Sequence, residues 1–363
     1  MRKTTGIVTA TIAASAFALL MSAPTPASAG AQEMVDGPKL KWRVSLWGKR
    51  RAFTESLEFI SDTVKKRTGG KFEFKLYYGE QLSKSKENLD AIAVGAVDAA
   101  LVCQSYHPKK LRTANVLDMP FLPITNFDVQ YAVSNAIFSH PAVKKNFKQW
   151  NATIFAINVL PQYEYMGKGK VPGSVADFKG MRLRALGGMG RSAKKIGAVP
   201  TTVPASETYN ALARGTVDAI GFPFTYAFSA YKLDEVAEWY TTNMSLGTVN
   251  CPIVANIDSW NALPAQYKKL LNSLKKPAVE YQSAAYAKKD LENLKVWPTK
   301  MKAVTIPEEQ MAQFRKVAGQ PIWDEWVKET APTVPEAQEL LDLLLKTAAD
   351  ARKEFPTKRT YGK

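Results

Sequence analysis

The chain has 363 residues, of which 46% are hydrophobic and 10% aromatic, a composition that excludes an intrinsically disordered protein and is sufficient for two packed domains. Lysine and arginine outnumber aspartate and glutamate by 49 to 33, which gives a formal net charge of +16. Because the basic residues form scattered pairs and short runs, we expect a solvated basic surface with some attraction for anionic ligands or lipid headgroups, and no nucleic-acid partner.

The first 29 residues have the pattern of a secretory signal peptide. Arg2 and Lys3 form a basic start, residues 7–21 are largely apolar, and small residues at 27–29 provide a cleavage site. A membrane anchor is the alternative, but the apolar run is short and no basic stop follows it. We therefore predict that residues 1–29 are removed and that the mature chain is soluble and periplasmic.

The first part of the mature chain predicts strands that alternate with helices. Period-two and helical apolar patterns predict, in order, a strand from Lys41, a helix over 53–64, a strand over 71–78, a short helix through Leu89 that ends at Gly95, and a strand over 97–102. This order implies a parallel sheet with crossover helices.

The second part repeats this order and then becomes helical. We predict strands over 153–159, 182–186 and 217–222, and helices over 191–196 and 207–214. From Leu263 onward apolar stripes predict helices, including one face shared loosely by Phe314, Val317, Ile322 and Trp326 and a last helix through Leu340, Leu343 and Leu344. We interpret these helices as packing elements that hold the two halves together.

Two stretches 120 residues apart nearly repeat each other: LDAIAVGAVDAA at 89–100 and YNALARGTVDAI at 209–220. Each predicts a helix that ends at a glycine and turns into a buried strand, with an aspartate that can accept from freed backbone N–H groups. The likeness indicates either two corresponding lobes or a corner common in α/β proteins. Both interpretations predict two α/β lobes whose strands end at a shared cleft, where ligands bind.

Two cysteines, Cys103 and Cys251, occur in a chain that we expect to enter an oxidising compartment. They are compatible with one disulfide or with two buried free thiols. The sequence does not favour either state.

Motifs of catalysis and of cofactor binding are poorly represented. Neither His107 nor His140 has a second metal ligand at a typical spacing, and there is no GxSxG, GxxxxGK[ST] or HExxH motif. Gly188, Gly190 and Ala193 fit a relaxed GxGxxG/A pattern, but no acidic residue follows at the expected distance. We expect no catalytic residue, no cofactor and no metal, and at most an anion near this helix start.

Four stretches resemble the DctP family, the periplasmic solute-binding proteins of tripartite ATP-independent periplasmic (TRAP) transporters. They are DFKGMRLRALGG, GAVPTTVPASETYNALARGTVDA, GEQLSKSKENLDAIAVGAVD and the MPFL at 119–122, and the resemblance extends from about Lys39 to Leu345. It implies a type II-like two-lobe binding protein with a hinge and a ligand cleft between the lobes. We expect lobe I at 38–161 plus 250–289 and lobe II at 162–249 plus 290–350.

The resemblance also implies a function without catalysis. A protein of this kind closes on a small organic acid and delivers it to a small and a large membrane permease subunit, and we expect it to be a monomer. Two alternatives remain: a ligand-sensing receptor of the same fold, and an exported enzyme, which the scarcity of histidine and of paired carboxylates disfavours.

In the family, the arginine that ends the K-[IL]-R motif binds a ligand carboxylate through a bidentate salt bridge, and Arg184 occupies that position here. Where some sialic-acid-binding members carry a second arginine this chain has Glu164, and Phe222 replaces an asparagine. Aromatic residues at 47, 163, 165, 222, 224 and 226 are candidates for the cavity lining, about half of which we expect to point elsewhere. The expected ligand-binding residues are Arg184, Glu164, Trp47, Phe222, Tyr163, Tyr226, Asn250 and Gln104.

These residues favour a monocarboxylate with an aromatic or apolar body. Glu164 accepts hydrogen bonds, so hydroxy acids, sugar acids and amino-containing zwitterions remain alternatives. A salt bridge between Glu164 and Arg184 in the ligand-free protein is a further interpretation.

Overall fold

The computed structural model describes Met1 and residues 33–357. The predicted signal peptide at 1–29 therefore lies outside the described residues, except for Met1. Among the described helices, none is both long enough and apolar enough to cross a membrane.

Strands and helices alternate through much of the described chain. The strands are β1 (Leu40–Ser45), β2 (Phe72–Tyr77), β3 (Ala99–Leu101), β4 (Ala152–Ala156), β5 (Tyr163–Gly167), β6 (Arg182–Arg184), β7 (Val199–Thr201), β8 (Ala219–Pro223), β9 (Trp239–Thr241), β10 (Ile253–Asn256) and β11 (Lys302–Val304). The helices are α1 (Glu55–Arg67), α2 (Asn88–Ala93), α3 (Phe127–Ser139), α4 (Pro141–Lys148), α5 (Gly187–Lys195), α6 (Thr208–Ala213), α7 (Tyr226–Ala230), α8 (Ile257–Asn261), α9 (Ala265–Ser273), α10 (Lys275–Val296), α11 (Glu308–Ala318), α12 (Gln320–Thr330) and α13 (Ala337–Glu354).

The strands form two sheets, which confirms the predicted α/β fold class. One sheet has the order β2-β1-β3-β10-β4 and the other the order β11-β9-β5-β8-β6-β7. The parallel sheet predicted for the first part of the chain is confirmed for its three predicted strands, since β1 is parallel to both β2 and β3. In the first sheet β10 is antiparallel to β3 and β4, and in the second β5 is antiparallel to β8 and β9, so both sheets are mixed.

The alternation in the first strand produces the core beneath α1. Trp42 and Val44 of β1 are buried, and the Trp42 ring stacks on Phe74 of the neighbouring strand with centroids 5.3 Å apart. On α1, residues such as Leu57 and Ile60 are at most 1% exposed, because they lie on the face that covers this sheet. The predicted strand and helix are therefore confirmed.

Within the described residues the chain passes between the two sheets three times. Residues 157–162 connect β4 to β5, residues 242–252 connect β9 to β10, and the long helix α10 lies on the third connection. Helix α10 packs against α1 and also against α7. The predicted lobe boundaries remain a prediction; α13, which falls inside the 290–350 segment, packs against α3.

The two near-repeats form the predicted helix, glycine and strand in both sheets. Helix α2 is followed by Gly95 with φ +69° and by β3, and helix α6 is followed by Gly215 with φ +68° and by β8. Glycine adopts a positive φ without steric cost, so these turns explain why both stretches have a glycine at the same position.

The aspartate of each repeat has a different role from the predicted one. Asp98 accepts a hydrogen bond from the backbone N of Arg43 at 2.7 Å, and Asp218 accepts one from the backbone N of Arg182 at 2.7 Å. Each carboxylate therefore binds a neighbouring strand rather than its own turn. The match extends to the arginine side chains, whose Nε atoms donate to the same carboxylates, so the two sheets contain equivalent corners.

One predicted helical face is interrupted. Helix α11 ends at Ala318 and α12 begins at Gln320, so the residues from Phe314 to Trp326 do not share one continuous helix. Val317 is 37% exposed, while Phe314 is buried. The break lies at Gly319, whose φ of −91° and ψ of −102° are not helical, and a side chain does not fit there because a Cβ would lie 2.6 Å from the carbonyl oxygen of Arg315.

Candidate functional site

A cavity of about 30 Å³ is lined by residues from both sheets and from the connections between them. Its lining contains two arginines, seven aromatic residues and, among the described residues, no aspartate or glutamate. The aromatic residues are Trp47, Phe53, Tyr106, Tyr163, Phe222, Tyr226 and Tyr231. The cavity lining is therefore largely apolar and carries two positive charges.

Arg184 projects into this cavity from the end of β6. Its side chain is 1% exposed and is held by the backbone, since Nε donates to the carbonyl oxygen of Val203 at 3.0 Å and Nη1 to that of Gly221 at 2.8 Å. The guanidinium carbon lies 4.5 Å from the centroid of the Phe222 ring, and Nη2 reaches the Tyr106 hydroxyl only at 3.5 Å. Two of the three guanidinium nitrogens are thus fixed by backbone carbonyls, and Nη2 is the nitrogen that faces the cavity lining.

The neighbouring arginine of the same motif has a different environment. Arg182 has a side chain that is 48% exposed and forms a salt bridge with Asp218. Arg182 is paired at the surface and Arg184 is buried in the cavity wall, so their surroundings show which of the two arginines can bind a ligand. Strand alternation alone did not distinguish them.

Four of the six candidate aromatic residues lie in the cavity wall: Trp47, Tyr163, Phe222 and Tyr226. The other two lie in the core. Tyr165 packs against Phe178 with ring centroids 5.5 Å apart, and Phe224 packs against Trp297 at 5.8 Å. Burial raises the pKa of Tyr163 and Tyr226 well above the usual tyrosine value, so both hydroxyl groups stay protonated at neutral pH.

Glu164 does not line the cavity. It is completely buried and its carboxylate accepts hydrogen bonds from Thr241 Oγ1 at 2.6 Å, from Met244 N at 3.0 Å and from Ser245 N at 2.7 Å. Burial raises its pKa to about 7, an effect that these donors partly oppose. The structure therefore places Glu164 beneath a backbone loop, and Arg184 is held by backbone carbonyls rather than by this carboxylate.

Gln104 and Asn250 also lie outside the cavity wall, where they surround Asp118. Gln104 Nε2 and the backbone N of Asn250 both donate to Asp118 Oδ1, at 3.3 Å and 3.1 Å, and Ser105 Oγ donates to the other carboxylate oxygen. Asp118 is 1% exposed, and burial raises its pKa to about 7. The structure thus assigns the two predicted residues to a buried polar network rather than to the cavity surface.

The two cysteines form a disulfide, Cys103–Cys251. Both residues line the cavity, and the bond joins the segment after β3 to the segment before β10. The alternative of two free thiols is therefore wrong, and one wall of the cavity is covalently cross-linked.

Four of the charged or aromatic residues in the cavity wall were not among the predicted ligand-binding residues: Arg51, Phe53, Tyr106 and Tyr231. Arg51 belongs to a short basic run, Lys49 to Arg51. The feature that could have identified Arg51 is its position just beyond the carboxyl end of β1, at the sheet edge where ligands bind in α/β folds. Tyr106 gave no such signal; its hydroxyl accepts a hydrogen bond from the backbone N of Ala205 at 3.1 Å and so connects segments that follow strands of different sheets.

The glycine pattern at 187–190 is explained by close packing. A Cβ on Gly188 would lie 2.6 Å from the carbonyl oxygen of Asp118 and 2.6 Å from Cδ of Pro120. The start of α5 therefore contacts the 118–120 segment directly. The carboxyl group of Asp118 lies near this helix start, with Oδ2 3.6 Å from the position of a Cβ on Gly187.

Comparison with known proteins gives consistent results. The profile of the bacterial extracellular solute-binding proteins of family 7, DctP, matches residues 44–330. Among curated proteins, the chain is similar to a monocarboxylate 2-oxoacid-binding periplasmic protein of Nostoc sp., with 25% identity over 282 residues that cover 75% of this chain and 74% of the relative.

Two solved structures show the same fold. A TRAP solute-binding protein from Rhodoferax ferrireducens in complex with copurified benzoate has a TM-score of 0.78 at 20% identity, covering 87% of this chain and 99% of that one. A TRAP periplasmic solute-binding protein from Roseobacter denitrificans with bound β-D-glucuronate has a TM-score of 0.73 at 17% identity, covering 84% and 99%. Proteins of this fold thus hold carboxylate ligands that differ in the rest of the molecule.

Proposed function

Since the chain belongs to the DctP family of bacterial extracellular solute-binding proteins, we propose that it is the periplasmic ligand-binding component of a TRAP transporter. It captures a small organic acid and delivers it unchanged to a pair of membrane permease subunits, and it acts as a monomer without catalysis. The similarity to TRAP solute-binding proteins supports this role.

The single observation that carries the proposal is the guanidinium of Arg184. It is buried, fixed by two backbone carbonyls and directed at a cavity lined by aromatic rings. A planar guanidinium in a desolvated site binds a carboxylate more strongly than it would in water. The ligand is accordingly an organic acid, and the aromatic lining favours an aromatic or apolar body, as in the benzoate bound by the Rhodoferax relative.

Ligand entry requires the cavity to open. Pockets for small organic ligands measure about 300–1,000 Å³, whereas this cavity measures about 30 Å³. The three connections between the sheets are the places where a hinge motion occurs, as in other two-lobe binding proteins. A ligand shifts the balance between open and closed forms through its higher affinity for the closed one.

The test uses the mature protein from residue 30 onward and isothermal titration with benzoate, 3-hydroxybenzoate, β-D-glucuronate and a 2-oxo monocarboxylate. We expect benzoate or 3-hydroxybenzoate to bind tightest, with 1:1 stoichiometry and no turnover of the recovered ligand. Tightest binding of glucuronate favours the sugar-acid alternative. Failure of every acid to bind, or recovery of a chemically altered ligand, contradicts the proposal.

A further inference from the structure

The cavity contains a second guanidinium, that of Arg51. Its Nη1 donates to the carbonyl oxygens of Trp47 at 2.9 Å and of Lys49 at 2.7 Å. Nε is buried without a hydrogen-bond partner, and Arg51 makes no salt bridge with any described carboxylate. The Nε and Nη2 edge, which is one of the two edges that can bind a carboxylate in bidentate fashion, thus has no acceptor among the described residues.

A series of stacked groups connects the two arginines. The guanidinium of Arg184 lies 4.5 Å from the Phe222 centroid, the Phe222 and Tyr231 rings are 5.4 Å apart, and the guanidinium of Arg51 lies 5.4 Å from the Tyr231 ring. On its other side Arg51 lies 4.9 Å from the Phe53 ring. Aromatic rings therefore occupy the space between two cations, one contributed by each sheet.

Tyr231 adds a polar group to the same region. Its hydroxyl is buried and has no hydrogen-bond partner among the described residues. A Cβ on Gly48 would lie 2.9 Å from this hydroxyl and 3.0 Å from Arg51 Nη1, which places both groups around one glycine. A buried donor without an acceptor is costly, and this one lies in the cavity wall beside a cation.

The cavity lining carries two positive charges, and ligands differ in how many of these charges they neutralise. Arginine remains protonated at every accessible pH, and although Arg51 is only partly buried, its Nε donor is buried without an acceptor, which is unfavourable until a ligand supplies one. A monocarboxylate that pairs with Arg184 leaves Arg51 uncompensated, because the described lining contains no aspartate or glutamate. A ligand with two acid groups compensates both arginines.

We propose that Arg51 and Tyr231 form a second acid-binding subsite, and that the ligand is an aromatic acid with a second carboxylate, its ring packing against the Phe222 and Tyr231 rings so that its two acid groups reach the two guanidinium groups. This inference rests on the proposed function, because it takes Arg184 as the first anchor. It narrows the ligand class from aromatic monocarboxylates to aromatic dicarboxylates.

The experiment is isothermal titration of the mature protein with benzoate, 3-hydroxybenzoate and the three benzene dicarboxylates. We expect at least one dicarboxylate to bind at least about tenfold more tightly than benzoate, since one added charged hydrogen-bond pair supplies that factor. In Arg51→Met this preference disappears, because the dicarboxylates lose more affinity than benzoate does. Tyr231→Phe, which retains the stacked ring, reduces the preference by about threefold to tenfold.

Arg50→Met is the matched control. Arg50 is adjacent in sequence but has a side chain that is 55% exposed and pairs with Glu55 at 2.8 Å, so its loss changes the total charge equally and leaves the subsite intact. We expect Arg50→Met to retain the dicarboxylate preference. Melting curves of the ligand-free variants establish that each protein is folded. Arg51→Lys, which keeps the positive charge, is measured in the same way.

The outcomes separate the inference from the proposed function. If no acid binds the wild-type protein, the proposed function fails as well. The inference alone is overturned if benzoate binds as tightly as all three dicarboxylates, if 3-hydroxybenzoate gains as much as they do, or if Arg51→Met weakens benzoate and dicarboxylates equally. A preference lost in Arg50→Met to the same extent also overturns it, because the effect is then one of overall charge.

Discussion

The guanidinium carbon of Arg184 lies 4.5 Å from the centroid of the Phe222 ring, and the two residues come from adjacent parallel strands, β6 and β8. The ring covers one face of the guanidinium, and backbone carbonyls hold its Nε and Nη1 atoms. The orientation of the cation is therefore set before a ligand arrives, which lowers the entropy cost of binding. This preorganisation makes Arg184 the residue whose replacement is most informative.

We expect Arg184→Met to weaken the binding of any acid ligand by about 100-fold or more, because a bidentate charged contact is lost. Arg184→Lys restores the charge but not the two bonds to backbone carbonyls, so it recovers only part of this loss. The matched control is Arg182→Met, which removes an exposed salt bridge worth about 1 kcal/mol or less. Titration that shows equal losses for Arg182→Met and Arg184→Met contradicts the assignment of the anchor.

The buried carboxyl of Glu164 makes stability depend on pH. Its pKa is raised by burial from 4.5 to about 7, so folding takes up a proton between these values. The stabilisation is fully present below about pH 4.5 and is lost as the pH rises through about 7. Urea unfolding of wild type and Glu164→Gln at several pH values measures this, and we expect the difference between their unfolding free energies to change by roughly 3 kcal/mol between pH 4.5 and 7.5.

The exposed residue Glu354, at the end of α13, gives the control for this pH series. Glu354→Gln makes the same substitution at an exposed position, and its unfolding free energy is compared with that of the wild type at the same pH values. If the unfolding free energies of the wild type and of Glu164→Gln change in parallel over the whole pH range, the raised pKa does not belong to Glu164.

Two glycines of α5 form a matched pair for a test of close packing. In Gly188→Ala the added Cβ meets the carbonyl oxygen of Asp118 at 2.6 Å and must displace the backbone of the 118–120 segment. At Gly190 the nearest atom to such a Cβ is 3.5 Å away, an ordinary contact. Thermal unfolding will show a loss of about 1–3 kcal/mol for Gly188→Ala, whereas Gly190→Ala is neutral or stabilising by up to about 1 kcal/mol.

The disulfide closes a long loop, since its cysteines are 148 residues apart in sequence. Chain entropy predicts that the double variant Cys103→Ser/Cys251→Ser loses about 3–5 kcal/mol of unfolding free energy. Reductant added to the wild type reproduces this loss and has no further effect on the double variant. A reductant effect of equal size on both proteins would show that it acts elsewhere.

Sequence patterns predicted the fold well where they were local and repeated. The alternation of Trp42 and Val44 and the glycines at 95 and 215 correspond to observed elements, because pleat and turn geometry depend on neighbouring residues. The antiparallel direction of β5 and β10 was not predicted. Both strands follow connections between the sheets, and the direction of a strand after a long connection depends on contacts distant in sequence.

The site was predicted less completely than the fold. Arg184 followed from a motif, and strand alternation correctly indicated that some aromatic candidates, such as Tyr165 and Phe224, lie in the core. Glu164 was predicted to contact the ligand, whereas in this structure its carboxylate accepts hydrogen bonds from the backbone N atoms of Met244 and Ser245, which are distant in sequence. Arg51 was missed because charge alone does not show which member of a basic run is turned inward.

The cross-link beside the cavity also determines how the protein must be made. A chain synthesised and retained in bacterial cytosol, where glutathione and thioredoxin keep thiols reduced, will fold without the bond between Cys103 and Cys251. Preparations for ligand screening therefore need a secretory leader and export, or refolding with a glutathione redox couple. Affinities measured on cytosolic material describe a different, looser receptor.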